Sequence, residues 1–164
     1  HPQKKAGDLL WAYAESGLAD LGIPLNIIGD GPERKMLEDL SRRLGLSGKA
    51  FFWGPMREGS FSLQNILLLV LPSLFEGHPN VIDEAMNANK RVLVRKSVRE
   101  FQFMVGAKNA ENFQFSTKED LAEALAHSIT DEGTELSSLL DAFRDDLWLR
   151  ELEREAALRD YCPD

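Results

Sequence analysis

The stretch Pro72-Ser73-Leu74-Phe75-Glu76-Gly77-His78-Pro79-Asn80-Val81-Ile82-Asp83-Glu84-Ala85-Met86 follows an apolar run, Leu67–Leu71, and sets two carboxylates eight positions apart across a break in the chain. The apolar run has the length and composition of a buried strand, whereas Ile82, Ala85 and Met86 recur at helical spacing. Gly77 and Pro79 mark the change, because glycine accepts unusual backbone angles and proline suits the first helical turn, where a missing N–H costs nothing. Glu76 is thereby placed in the loop and Glu84 on the helix. Free N–H groups at the helix start, around Asn80 and Val81, suit a phosphate. Glu84 lies about 6 Å further along, at about 1.5 Å per residue, and its acceptor-only carboxylate suits the vicinal diol of a ribose. Taken singly, each residue is equally compatible with a solvated glutamate or an ordinary connection; the combination is what fits a sugar nucleotide.

Working outward, helical and strand periods alternate. Leu9, Leu10, Tyr13, Ala14 and Leu18 mark an amphipathic helix, and Leu25–Ile28 a strand. Met36, Leu37, Leu40 and Leu44 mark a second helix ending near Gly45, and Ala50–Trp53 a strand. The all-apolar Leu67–Leu71 reads as a central parallel strand covered on both faces. A helix over about 79–88 leads to a strand at Val92–Val94, and Phe113–Phe115 reads as one more. Leu121, Ala122, Leu125, Ala126 and Ile129 form a helical stripe; Leu136, Leu139, Leu140, Phe143 and Leu147 form another. This pattern predicts an α/β fold, a Rossmann-like three-layer sandwich with a mainly parallel sheet, with elements that bury one another in a self-sufficient core. Ligands of such sheets bind outside the carboxyl ends of the strands, here the loops after Gly29, Gly54 and Pro72.

The chain has 164 residues and a formal net charge of −8. That length suits one domain, 1–164, with 134–161 as a helical extension. The acidic balance repels polyanions, so no nucleic-acid partner is expected. A single cysteine, Cys162, cannot form an intrachain disulfide. No run is apolar for long enough to cross a bilayer. No cluster of metal ligands is evident, so no metal or other cofactor is expected.

The run Glu76-Gly77-x-Pro79-x-x-x-x-Glu84-Ala85-Met86 resembles the Glu-x7-Glu signature of the GT-B glycosyltransferases, in particular the large retaining family four (glycosyl transferases group 1). Lys5-Ala6-Gly7-Asp8-Leu9-Leu10 is similar to that family's Lys-Gly-x-Asp-Leu-Leu helix start. Leu25-Asn26-Ile27-Ile28-Gly29-Asp30-Gly31-Pro32 resembles its strand ending in Gly-Asp-Gly-Pro, and Phe51-Phe52-Trp53-Gly54 its next strand. The resemblance covers about residues 4–94. It implies the C-terminal, donor-binding half of a GT-B enzyme, with its N-terminal domain elsewhere in the same protein. The implied substrate is a nucleotide-diphosphate sugar, a UDP-sugar by prevalence, used in glycan or glycolipid synthesis without metal. It implies Lys5 as a phosphate ligand, although Lys4 beside it matches equally. It further implies Glu76 as the catalytic-side carboxylate at the donor sugar and Gly77 in its loop. Asn80 and Val81 would bind the distal phosphate, Glu84 the ribose, and the backbone near Met56 the base. It implies a cytoplasmic location, or a peripheral one at the inner membrane face through the other half.

Three departures bear on that reading. Leu67 stands where the family has Asp; Asn89-Lys90-Arg91 replaces Gly-x-Pro; and Lys96-Ser97-Val98-Arg99 replaces an Asp-x-Gly-Gly loop. Asn89 is able to supply the left-handed backbone of the lost Gly. The lost Gly-Gly alters a loop near the site, which admits a second reading: a catalytically silent sugar-nucleotide-binding or protein-interaction module of the same fold.

Overall fold

The fold is seen in a computed structural model, which describes residues 2–56, 63, 66–77, 80–98 and 113–130. The chain forms two compact units, His1–Ser128 and Ile129–Asp164. The extension expected at 134–161, the stripe from Leu136 to Leu147, and His78, Pro79, Arg99 and Cys162 lie outside the described residues.

In the first unit a short 3₁₀ turn, Pro2–Lys4, leads into α1 (Ala6–Glu15), then β1 (Leu25–Ile28), α2 (Arg34–Arg43) and β2 (Ala50–Gly54). β3 (Leu68–Leu71), α3 (Asn80–Asn87), β4 (Arg91–Arg95), β5 (Phe113–Phe115) and α4 (Lys118–Thr130) follow. Every ladder between these strands is parallel: β1 pairs with β2, β3 with β4, and β4 with β5. Parallel neighbours need crossover connections, which α2 and α3 provide. The domain is therefore a Rossmann-like α/β domain. Among the described residues, however, the strands form two separate sheets, β1-β2 and β3-β4-β5, with no ladder between β1 and β3.

Local chemistry explains the element ends. Lys5 precedes α1 in the left-handed region, at φ 51, and its carbonyl accepts the N–H groups of Asp8 and Leu9. Asp8 in that first turn complements the helix dipole. Asn89 closes α3 at φ 56, where the sequence calls for a Gly substitute, and its N–H donates to the Met86 carbonyl. Thr117 and Asp120 cap α4 reciprocally, Asp120 N–H to Thr117 Oγ1 and Thr117 N–H to Asp120 Oδ2.

The best-packed region lies around β4. Val92, Leu93 and Val94 are fully buried, and Ile82, Ala85 and Val98 pack with Val92 and Val94, with Leu69, Leu71 and Met86 at the margin. The expected covered central strand is therefore β4; β3, Leu68–Leu71, is only half-buried along its length. On the other side, α1 packs against α2, whose Leu37 and Leu40 face Gly7. Tyr13 pins α1 to the loop before β1 by donating to the Ile23 carbonyl at 2.6 Å. Burial, and then the charge of Asp20, push that phenol up to about 12.

Candidate functional site

The carboxyl ends of β1 and β3 and the start of α1 converge on a cavity of about 340 Å³. Its rim is polar, with Lys4, Gly29–Gly31 and Ser73; its depth is apolar. β1 and β2 shift register by one residue between Ile27 and Ile28, so that Gly29 N–H reaches the Gly54 carbonyl at 2.7 Å. The loop that follows at the rim is held locally, with Gly31 N–H donating to Asp30 Oδ1 at 2.8 Å and the Gly31 carbonyl accepting the Arg34 N–H at 3.1 Å.

Lys4 and Glu76 meet at this edge. The Lys4 ammonium donates to Glu76 Oε1 at 2.6 Å, across 72 residues of sequence. The Glu76 side chain keeps 15 % of its exposure and that of Lys4 48 %. Burial pushes the pKa of the Glu76 carboxyl up, yet hydrogen bonds from Lys4 and Ser73 and the Lys4 charge outweigh it, so the group lies below the ordinary glutamate range. Glu76 is thus held as a carboxylate beside a cation that remains half in solvent.

The other expected residues are placed less tightly. Of the two adjacent lysines, Lys4 lines the cavity and Lys5, in the left-handed region at φ 51, does not. Asn80 is the first residue of α3 and exposed; Val81 is half-buried; Glu84 is exposed on the second turn; Gly77 is exposed and Met56, beyond β2, half-buried. The structure brings Glu76 together with Lys4 and gives no contact that joins Glu84 or Met56 to them.

Two arginines escaped the sequence reading. Arg95, at the carboxyl end of β4, is 7 % exposed. It donates to the Pro72 carbonyl at 3.0 Å, to the Ser116 carbonyl at 2.7 Å and to Asp8 Oδ2 at 2.9 Å, and stacks over Phe115. One guanidinium thereby fixes the root of the Glu76 loop to the first turn of α1, which carries Lys4 at its base. Its signal in the sequence was an arginine ending an apolar strand. Arg34, at the start of α2, donates to the Phe52 carbonyl and to Glu38 and fills the space over Gly54, whose φ is +74.

The altered loop is also ordered against the site as far as it is described. Ser97 Oγ donates to the Leu74 carbonyl at 2.5 Å, and Val98 is fully buried. No group of three or more potential metal-ligating His, Cys, Asp or Glu side chains occurs among the described residues. No described helix is long and apolar enough to cross a membrane.

Parallel strands joined by helices, with a polar rim at their carboxyl ends, define a Rossmann-like domain, and solved glycosyltransferases of the GT-B type share its fold. The chain belongs to the family described as glycosyl transferases group 1, whose model matches residues 1–142. Its fold is similar to HepE of Anabaena in complex with UDP (20% identity, TM-score 0.66, 97% of this chain and 42% of that one). It is likewise similar to the lipopolysaccharide outer core galactosyltransferase WaaB (21%, 0.66, 96% and 46%). A third is TarM of S. aureus, solved with Fondaparinux, alpha-GlcNAc-glycerol and UDP (18%, 0.66, 97% and 33%). The chain spans less than half the length of these proteins. No match was found among curated protein sequences.

Proposed function

We propose that this chain is the donor-binding half of a retaining glycosyltransferase of the hexosyltransferase class. It acts on a nucleotide-diphosphate sugar, a UDP-sugar by preference, in glycan or glycolipid synthesis. The observation that carries the reading is the Lys4–Glu76 pair at the rim of a carboxyl-edge cavity, just before the helix whose second turn bears Glu84. Family membership, and the UDP bound to HepE, support the donor class.

The chemistry follows from charge. Transfer of the sugar builds negative charge on the departing diphosphate, so a cation placed there stabilises the transition state more than the bound donor. Lys4 is that cation, held at the rim by Glu76, with the N–H groups at Asn80 and Val81 receiving the distal phosphate. Glu76 faces the donor sugar, Gly77 lets the backbone turn towards it, Glu84 takes the ribose hydroxyls, and the backbone at Met56 meets the base. Protein cations take the role a metal would otherwise play, so binding is metal-independent. The acceptor surface belongs to the other half of the enzyme, the fragment alone transfers no sugar, and the enzyme works in the cytoplasm or at the inner membrane face.

Calorimetric titration of the full-length protein with UDP, GDP and ADP, in EDTA and again with Mg²⁺, tests this. UDP is expected to bind in both buffers and Lys4→Ala to weaken it more than Lys5→Ala. Equal losses, or a strict need for metal, would sink the charge argument. The silent-module reading has one observation behind it: Val98 fills the core where the family resemblance calls for glycine. It gains if full-length protein binds UDP but turns over no UDP-sugar.

A further inference from the structure

Apolar packing does not hold the loop that carries Glu76. Leu74 and Phe75, the two residues before it, are 37 % and 59 % exposed, and a Cβ built on Gly77, the residue after it, would meet nothing within 4 Å. The burial that fixes β4 is therefore missing where the carboxylate has to be placed.

Backbone tethers hold the loop instead. The Pro72 carbonyl accepts the Arg95 Nε–H at 3.0 Å, the Leu74 carbonyl accepts the Ser97 hydroxyl at 2.5 Å, and the Leu74 N–H donates to the Gln3 carbonyl at 2.8 Å. The first two come from the end of β4 and the residues just past it; the third comes from the 3₁₀ turn that carries Lys4. The residues past β4 are themselves anchored. Lys96 N–H donates to the Phe115 carbonyl at 2.8 Å, Val98 N–H donates to the Arg95 carbonyl at 3.0 Å, and Val98 is fully buried. Ser97 thus presents its hydroxyl from between two pinned positions.

Arg95 closes the frame. Its other two nitrogens reach the Ser116 carbonyl and Asp8, in the first turn of α1, so the Glu76 loop and the segment carrying Lys4 are referred to the same guanidinium. Stability alone is a weak reason for such a residue, because replacing a buried ion pair by apolar side chains is often neutral or stabilising. What a planar fork of donors supplies is direction.

We propose that Arg95 and Ser97 are positioning residues for the donor site: they hold the backbone of the Glu76 loop against the Lys4 turn, so that ammonium and carboxylate meet the donor as one preset pair. The ligand rests on the donor-binding reading; the clasp itself does not. Ser97 and Val98 belong to the stretch that departs from the family's Asp-x-Gly-Gly pattern. In this chain that departure supplies the clasp, and a site supported in this way needs little reordering when its ligand arrives.

Full-length protein carrying Ser97→Ala, Ser97→Thr or Arg95→Lys tests it through two readouts, hydrogen exchange resolved to single amides and calorimetric titration with UDP. The Leu74 amide reports the clasp, because it joins the loop to the Lys4 turn, and the β4 amides report global opening. Ser97→Ala is expected to speed exchange at Leu74 and to weaken UDP binding, each roughly fivefold to tenfold as for one lost hydrogen bond, with β4 at its wild-type rates. Ser97→Thr keeps the hydroxyl and should restore both. Arg95→Lys keeps the charge beside Asp8 but loses the fork, and should speed Leu74 more than β4. The proposal is overturned if Ser97→Ala leaves Leu74 at the wild-type rate, or if it speeds Leu74 and β4 alike, which is a structural role only. If wild type binds UDP and Ser97→Ala binds it equally well, the positioning role fails while the donor-binding reading stands. If wild type binds no UDP, that reading fails and takes the positioning role with it.

Discussion

The strands of this domain are built from similar residues and are packed very differently. In β4 the sequence Val92-Leu93-Val94 is sealed by strands on both edges and by α3 on one face, whereas Ile27-Ile28 in β1 and Val70-Leu71 in β3 line the cavity. Hydrophobicity sets which segments become strands; neighbours on both edges decide which strands become core. Arg95 sits where the two regions meet, tying β4 to the root of the Glu76 loop and to α1.

The largest effect should come from that junction. Arg95→Ala leaves the Asp8 carboxylate and two carbonyls without their cation and is expected to cost about 3–5 kcal/mol, as for a broken buried pair. Urea unfolding of full-length protein checks it. A loss under about 1 kcal/mol would mean that the two regions are not coupled through this residue.

Truncating the two kinds of strand gives a direct comparison. Leu93→Ala, in the fully covered strand β4, is expected to cost about 2–5 kcal/mol. Val70→Ala, in the half-buried β3, should cost well below that. Equal costs for the two substitutions would remove the contrast between the strands.

If the donor-binding proposal holds, Glu84→Gln on α3 removes a charged acceptor worth about 1.5–3 kcal/mol and is expected to weaken UDP binding roughly tenfold or more. Titration calorimetry reads this directly. Unchanged affinity would mean that Glu84 does not meet the ribose.

The smallest effect belongs to the Lys4–Glu76 pair. Because folding lowers the Glu76 value, the pair's contribution is complete above the ordinary glutamate range and is lost as pH falls through the lower, folded value. Both side chains keep some solvent, so the change should stay within about 1 kcal/mol. Denaturant midpoints of wild type and Lys4→Met are expected to converge as the solution is acidified from neutral pH. Parallel curves would show that Lys4 does not hold Glu76 in solution.

By itself the sequence determined the class of fold, the order of strands and helices, and the family. Those rest on short-range grammar: apolar period, Gly and Pro at the breaks, and a helix start after Gly77. It also foresaw the left-handed turn that Asn89 adopts. Three things were decided only in the tertiary structure: which of two adjacent lysines meets Glu76, the hub at Arg95, and the open edge of β3. The Lys4 contact spans 72 residues and the Arg95–Asp8 contact 87, so no local pattern encodes either.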